Sequence, residues 1–376
     1  MNRTFSIGIG FIFFTLFGAN LHSSEQAKIG YGSSDAVLPA KNQELFFMGF
    51  EAGFKKMVSE KTAGEILIAE QVADGSPLGA MRSAESLIGR GAVALVGFPT
   101  SHEALLASKI ALQHGVLAVF SGAGHADLAK LGSLIFTTGE SMRYSVESSL
   151  AFIKKYFPKG EGVLITNPSA VFSKNQEDTF VDLMKGQQYS GIKMISMQLG
   201  RDLKLSEGDV QRLKNIKKGY LCLTPYADES VRLLEQLEKE KLDLPILSNS
   251  SWTTGDIEFL RRFLTNRKAP VYSATLWLKG SPESKNFENL IRQRYGREPT
   301  AEMAYGYDLG VIIGQTLNAV KGPLTQKSIA EAFRRIRCFD GVTSGKICFK
   351  PEGGHAERKI TFVAFTKKGF IPADAK

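Results

Sequence analysis

Residues 92–101 read AVALVGFPTS, an apolar run that ends in a proline and two hydroxyl side chains. Strands of parallel sheets are buried on both faces and have unbroken apolar runs of this kind, so we predict a strand at Ala92–Gly97. A helical spacing of apolar residues follows over Ser101–Gln113, and a second apolar run begins at residue 116. A strand, a helix and a strand in this order predict an α/β fold with a largely parallel sheet.

The same alternation extends outward on both sides of this unit. Around it, the pattern predicts strands at residues 27–31, 66–72 and 116–120, and helices at 44–58 and 78–88. After residue 142 it predicts strands at 162–166, 192–197, 219–223, 245–247 and 271–276, and helices at 145–156, 174–184, 208–215, 229–239, 256–263, 283–295, 303–320 and 326–336. A chain of 376 residues is longer than one hydrophobic core usually supports, so we predict two lobes.

The C-terminal segment has a different pattern. Strand-like stretches at residues 339–349 and 360–365 are joined by a glycine-rich turn at 351–354. Cys338 and Cys348 flank a turn that contains glycine, so they either form a disulfide across a hairpin or lie apart on opposite faces. Cys222 lies in an apolar run, and we expect it to be buried and unreactive. The spacing of the three cysteines fits neither a zinc site nor a redox pair.

The N-terminus is typical of a secretory signal. Arg3 precedes an apolar run over residues 7–17, and small and polar residues follow it. Because a membrane span takes about 20 residues, we predict a cleaved signal peptide at 1–24 and a periplasmic protein, with an uncleaved anchor as the alternative. This region has no cysteine, so we do not expect bacterial lipidation.

The charged residues exclude some classes of function. The chain has 47 basic and 38 acidic residues, and they are dispersed, which indicates a solvated surface and no nucleic-acid partner. The histidines and acidic residues have no spacing known from catalytic or metal motifs, so we expect no enzyme, no metal and no cofactor. A serine–histidine pair formed by Ser101 or Ser121 with His102 or His125 remains the catalytic alternative.

Two candidate binding segments follow strands of the first half, where a doubly wound fold binds its ligand. Thr100 and Ser101 begin a helix, so they are candidates for holding an anion as well as for capping the helix. Gly122, Ala123 and Gly124 follow the strand predicted at 116–120, and their N–H groups are candidates for binding a carboxylate. The alternative for these glycines is a tight turn that only glycine permits.

A third set follows strands of the second half. Phe172, Tyr226 and Ser250 each come after a predicted strand, and Ser251 and Trp252 adjoin the last of them. Each of these residues, taken alone, is explained as well by packing in the core as by ligand binding. Their common position favours a small-ligand cleft, because such clefts combine apolar walls with a few polar groups.

Several segments, in this order, resemble the leucine/isoleucine/valine-binding proteins, the type I periplasmic receptors of ABC transporters. They are Lys28-Ile29-Gly30, residues 92–97 with Ser101, residues 115–119 before the 121–124 turn, Phe136-Thr137-Thr138, Ala304-Tyr305-Gly306-Tyr307-Asp308, and residues 339–347 (FDGVTSGKI) followed by Gly353-Gly354. The resemblance implies two Rossmann-like αβα lobes joined by three crossovers near residues 142, 270 and 346. It divides the chain into a first lobe of 25–142 plus 270–345 and a second lobe of 143–269 plus 346–376.

The resemblance also implies roles for the candidate residues. A ligand carboxylate would be held at Ser101, Gly122 and Gly124, and an aromatic residue of the second lobe, Phe172 or Tyr226, would close over it. Tyr31, at the end of the first strand, is a weaker candidate.

The chain departs from the family after the strand at 245–247. Amino-acid receptors of this family present an acidic residue there to pair with the ligand's ammonium group, whereas residues 248–252 read SNSSW. Burying an ammonium group without a counter-charge costs several kcal/mol. Either Asp228 or Glu229 therefore takes that role, or the ligand is not a zwitterion, and we favour a small organic acid, amide or aromatic acid.

The resemblance therefore implies the binding component of an ABC transporter. We expect a monomer that closes on a small molecule, either amino-acid-like or an organic acid or amide, and delivers it to permease subunits in the inner membrane. The alternative is a periplasmic sensor of the same fold that signals to a membrane kinase or chemoreceptor.

Overall fold

The computed structural model describes residues 27–32, 40–58, 65–68, 77–254, 258–367 and 369–375. The predicted signal at 1–24, part of the strand predicted at 66–72 and the start of the helix predicted at 256 lie outside these ranges. The described residues form two lobes, each a sheet with helices on both faces. The predicted α/β class is confirmed.

Strands and helices alternate along most of the chain. The strands are β1 (Lys28–Gly32), β2 (Glu65–Ile68), β3 (Ala92–Gly97), β4 (Leu117–Phe120), β5 (Ile135–Thr137), β6 (Glu161–Thr166), β7 (Lys193–Gln198), β8 (Gly219–Leu223), β9 (Ile246–Ser248), β10 (Val271–Thr275), β11 (Cys338–Asp340), β12 (Lys346–Cys348), β13 (Gly354–His355), β14 (Thr361–Thr366) and β15 (Gly369–Pro372). The helices are α1 (Ala40–Met57), α2 (Pro77–Gly89), α3 (Ser101–Gln113), α4 (Met142–Tyr156), α5 (Val171–Met184), α6 (Glu207–Lys214), α7 (Val231–Lys239), α8 (Glu258–Asn266), α9 (Lys285–Tyr295), α10 (Ala301–Asn318) and α11 (Gln326–Ile336).

The first lobe is built on a parallel sheet of six strands in the order β13-β5-β4-β3-β1-β2. Successive side chains of β3 enter different cores, because side chains alternate across a strand. Val96 packs with α1, α10 and α11 on one face, and Leu95 packs with α2 and α3 on the other. The unbroken apolar run that predicted β3 reflects this burial on both faces.

The second lobe is built on a sheet of seven strands in the order β15-β14-β10-β9-β8-β6-β7, in which β14 and β15 are antiparallel to their neighbours. Helices α6, α7 and α8 cover one face, and α4 and α5 cover the other. Cys222 of β8 is a free and buried thiol, and burial raises its pKa to about 12. So high a pKa keeps the thiol protonated and unreactive at neutral pH.

The chain passes between the two sheets three times. It leaves the first sheet after β5 and enters the second lobe at α4, next to the predicted residue 142. The second crossing was predicted near residue 270, but β10 pairs with β9 and β14 in the second sheet, so the chain crosses after Thr275. The third was predicted near 346, but β13 pairs with β5 in the first sheet, so the chain returns to the second lobe only after His355.

The C-terminal strands also differ from the prediction. Residues 339–349 do not form one strand, because β11 and β12 pair with each other as a separate two-stranded hairpin. Cys338 lies directly opposite Cys348 in that hairpin, and the two form a disulfide. The hairpin packs on the first-lobe core through Phe339 and Ile347.

None of the described helices is both long and apolar enough to cross a membrane.

Candidate functional site

A cavity lies between the two lobes, at the carboxyl ends of their strands. Its first-lobe wall consists of Phe46, Pro99, Thr100, Ser121, Gly122, Glu140 and Tyr305, and its second-lobe wall of Phe172, Tyr226, Ser250, Ser251 and Thr254. The cavity, which is partly open to solvent, has a volume of about 70 Å³. Since a cavity of about 150 Å³ is known to hold benzene, this one holds only a small molecule unless the lobes move apart.

Thr100 caps helix α3 and lines the cavity. Its Oγ1 accepts a hydrogen bond from the N–H of Glu103 at 3.3 Å, and its own N–H donates to Glu103 Oε2 at 3.2 Å. This reciprocal pair is a capping box, which satisfies donors that a helix N-terminus leaves free. Ser101, the next residue, is buried behind the wall, and its Oγ has no hydrogen-bond partner among the described residues.

The turn after β4 contributes Ser121 and Gly122 to the wall. Gly122 has φ +81°, a conformation that side chains rarely adopt, so the turn requires glycine here. Ala123 and Gly124 are buried but do not line the cavity. Their carbonyl oxygens accept hydrogen bonds from Thr137 Oγ1 (2.8 Å) and from the N–H of Met142 (3.1 Å).

Two aromatic rings of the second lobe form the opposite wall. Phe172 and Tyr226 stack with their ring centroids 5.0 Å apart. The pKa of Tyr226 is raised, chiefly by burial and then by the charges of Glu229 and Glu103, while the N–H of Ser101 acts in the opposite direction. The Tyr226 hydroxyl therefore reaches from the second lobe to the start of α3 in the first.

A second contact joins the lobes beside the cavity. The N–H of Ala126, in the 3₁₀ turn after β4, donates to Asn175 Oδ1 of α5 at 3.2 Å. Ala126 belongs to the first lobe and Asn175 to the second, so the structure is that of the closed arrangement of the two lobes.

Residues 43–369 match the model of a protein family described as periplasmic binding protein. The chain belongs to this family. Its members in ABC transporters are solute-binding proteins of the periplasm rather than enzymes, and the predicted family is confirmed.

Solved structures of the family share the fold at low sequence identity. A leucine-binding protein from Thermotoga maritima has a TM-score of 0.78 at 16% identity, covering 93% of this chain and 100% of its own. A branched-chain amino acid substrate-binding protein from Streptococcus pneumoniae, in complex with isoleucine, has a TM-score of 0.75 at 18% identity, covering 91% and 96%. A solute-binding protein from Rhodopseudomonas palustris, in complex with 3,4-dihydroxybenzoic acid, has a TM-score of 0.72 at 16% identity, covering 92% and 95%.

No curated protein matches the chain. At these identities the solved structures establish the two-lobed type I fold of this periplasmic binding protein, and the predicted fold is confirmed.

The cavity contains one carboxylate that the sequence analysis did not identify. Glu140, in the loop between β5 and α4, lines the cavity with only 9% of its surface exposed. Burial raises its pKa, while its own backbone N–H, the charge of Arg358 and the Ser250 hydroxyl across the cavity favour the ionised form. This residue was missed because no strand was predicted at residues 135–137, which precede it.

The two carboxylates proposed from the sequence lie elsewhere. Asp228 is exposed and is not part of the cavity wall. Glu229 accepts hydrogen bonds from the N–H of Tyr226 (2.9 Å) and from Asn167 Nδ2 (3.0 Å), so it holds the loop in place. Neither lies where a ligand in the cavity would meet it.

Tyr31, the weaker candidate, lies outside the cavity wall. Tyr31 is buried in the first-lobe core, where its ring contacts Phe47 and Phe50 at centroid distances of 5.1 and 5.2 Å. Neither Ser101 Oγ nor Ser121 Oγ has a partner within the described residues, so neither forms the serine–histidine pair that the sequence left open. The described residues also contain no group of three side chains suited to a metal ion.

Proposed function

We propose that this periplasmic binding protein is the receptor of an ABC importer, acting as a monomer that closes on a small organic ligand and presents it to permease subunits. The observation that supports this most is that both lobes contribute to one cavity. A ligand held there contacts both walls only in the closed form. Because the ligand binds the closed form more tightly than the open form, it shifts the population of molecules towards the closed form.

The proposal assigns roles to the cavity residues. Thr100 and Gly122 bind the ligand from the first lobe, with Ser101, Ala123 and Gly124 holding that wall in place. Phe172, Tyr226 and Ser250 close over it from the second lobe. The three chain segments between the sheets, at residues 138–141, 276–284 and 356–360, act as hinges.

A thermal-shift screen of the protein from residue 25 onward tests the receptor function. The compounds are amines, amino acids, small carboxylates, amides and aromatic acids. A ligand present at about 100 times its Kd adds roughly 2.7 kcal/mol to the free energy of unfolding, which raises Tm measurably. Small-angle scattering with the confirmed ligand should then show a smaller radius of gyration than without it. Identical scattering profiles would contradict closure on the ligand.

Uptake experiments test the importer role separately. Deleting the gene should abolish uptake of the radiolabelled ligand by the source cells, and a plasmid copy should restore it. Undiminished uptake in the deletion strain would instead indicate a sensor on the same fold.

A further inference from the structure

The charges around the cavity do not suit an anionic ligand. No lysine, arginine or histidine belongs to the wall among the residues that the structure describes. The wall does contain a carboxylate, Glu140, with 91% of its surface buried. An anion in this space would meet a like charge in a medium where charges are poorly screened.

The N-terminus of α3, the place that the sequence suggested for a carboxylate, is already occupied by groups of the chain itself. The N–H and Oγ1 of Thr100 both donate to Glu103 Oε2, at 3.2 and 2.9 Å. The N–H of Ser101 faces the Tyr226 hydroxyl oxygen from the opposite lobe. Because Glu103 is itself negative, it neutralises the positive end of the helix and repels a second anion.

A buried group of charges lies beside Glu140. Asp308 accepts hydrogen bonds from the N–H groups of Val342 (2.7 Å) and Thr343 (2.9 Å), and Arg358 donates to the carbonyl oxygen of Thr343 at 2.9 Å. Asp308 and Glu140 both interact electrostatically with Arg358, and all three side chains are buried. One arginine between two carboxylates leaves a net charge of −1 when all are ionised. Burial opposes such an uncompensated charge, and the raised pKa of Glu140 reflects that.

Four aromatic side chains also belong to the wall. Phe46 and Tyr305 line it from the first lobe, and Phe172 and Tyr226 from the second. The faces of aromatic rings attract cations, and several rings around one site form the usual recognition site for alkylated ammonium groups. We propose that the ligand is a small organic cation, an alkylamine or alkylammonium compound, with its charge against Glu140 and its alkyl groups against these four rings. This inference rests on the proposed receptor function.

Four probes that share a branched alkyl group test the inference: isobutylamine, isobutanol, 3-methylbutanoate and valine. They carry a cation, a neutral group, an anion and a zwitterion, respectively, on nearly the same carbon skeleton. We expect isobutylamine to raise Tm and to bind more tightly by calorimetry than the other three. In Glu140→Gln, which keeps the shape of the side chain, its Kd should rise about ten- to a hundredfold, since a hydrogen bond to a charged group is lost. Asp228→Asn should leave its Kd unchanged, because that carboxylate lies outside the wall.

The possible failures point to different conclusions. If 3-methylbutanoate, isobutanol or valine binds more tightly than isobutylamine, the proposal that the ligand is a cation is wrong, while the receptor function stands. Equal affinity of isobutylamine for the wild type and Glu140→Gln, or a loss with Asp228→Asn instead, overturns the role of Glu140. If neither these probes nor any compound of the broad screen raises Tm, the receptor function itself fails.

Discussion

Burial of Glu140 makes one contribution to the pH dependence of the protein's stability. The folded-state pKa of this carboxyl is raised, so in its titration range the folded chain binds a proton that the unfolded chain has lost. The stability that this proton contributes is fully present below the unfolded pKa, about 4.3 for glutamate, and is lost as the pH rises through the folded pKa. Glu140→Gln carries no such proton. We therefore expect the Tm of this variant, relative to the wild type, to increase from about pH 4 to about pH 7.

The control is Glu357→Gln, at an exposed carboxylate one residue before Arg358. Its Tm should follow the wild-type profile across the same range. Differential scanning calorimetry without ligand at each pH provides the measurement. If the difference in Tm between Glu140→Gln and the wild type is the same at every pH, Glu140 has the same pKa in the folded and unfolded chains.

Five residues of the cavity wall could be predicted from the sequence because each follows a strand. Thr100, Gly122, Phe172, Tyr226 and Ser250 were predicted in this way, and the structure brings all of them to one cavity. Glu140 was missed although it obeys the same rule. No strand was predicted at residues 135–137, so the residues that follow them were not considered as candidates.

Phe46 and Tyr305 were missed for a different reason. They lie on helices α1 and α10, which pack against each other, and both reach the cavity from the side rather than from a strand end. Their rings lie 6.3 Å apart although 259 positions separate them in the sequence. A contact of this kind depends on tertiary packing, which no local pattern encodes.

Glycines allow α1 and α10 to approach this closely. A Cβ added at Gly306 of α10 would lie 2.0 Å from the carbonyl oxygen of Phe46, and one added at Gly49 of α1 would lie 2.0 Å from that of Met303. Both distances are far shorter than a van der Waals contact. The atoms concerned belong to the backbone, so they cannot move away by a change of rotamer. The two helices would therefore have to separate to admit a side chain at either position.

We expect Gly306→Ala to lower the free energy of unfolding by about 1–3 kcal/mol, the usual cost of overpacking a core. Because Tyr305 and Phe46 are part of the cavity wall, the same substitution should also weaken ligand binding. The matched control is Gly89→Ala in the last turn of α2, where no atom of the described residues, apart from its chain neighbours and its own helix backbone, lies within 4 Å of the added Cβ. That change should be neutral or stabilise by up to about 1 kcal/mol, since alanine favours helix more than glycine does. Urea unfolding followed by tryptophan fluorescence measures both, and equal stabilities of the two variants would contradict the close packing.

At the scale of whole elements, those with a long and clear pattern were the easiest to predict from the sequence. The predicted bounds of β3, β8, α3 and α11 are those observed, because each has a clear period or an unbroken apolar run. The prediction was weakest in the C-terminal segment, where β11, β12 and β13 have three residues or fewer. Short strands are defined by their partners, and β13 could be assigned to the first sheet only through its pairing with β5.

The misplaced crossovers have a related cause at the scale of the whole molecule. Strand β10 is buried throughout, as a central strand of either sheet would be. Its sequence therefore predicts a strand but not the sheet that it joins. Only its pairing with β9 and β14 assigns it to the second lobe, so a boundary at 270 could not be distinguished from one after Thr275 by local pattern.

Closure of the two lobes should depend on contacts that exist only when they meet. The hydrogen bond from the Ala126 N–H to Asn175 Oδ1 joins the first lobe to the second, so opening breaks it. Removing the acceptor should disfavour the closed form and leave each lobe's own core unchanged. The apparent Kd of a ligand rises as the binding-competent form becomes rarer, so Asn175→Ala should weaken binding by about two- to tenfold, the equivalent of one ordinary hydrogen bond.

Asn175→Asp provides the matched variant, because its carboxylate retains an acceptor at the same position. It should bind the ligand nearly as tightly as the wild type, and Tm without ligand should change little in either variant. Calorimetry with the ligand from the screen gives the affinities, and scattering at half-saturation gives the proportion of closed molecules. If Asn175→Ala binds and closes like the wild type, this hydrogen bond contributes nothing to closure. The energy of closure would then come from the ligand and the Tyr226 contact with the start of α3.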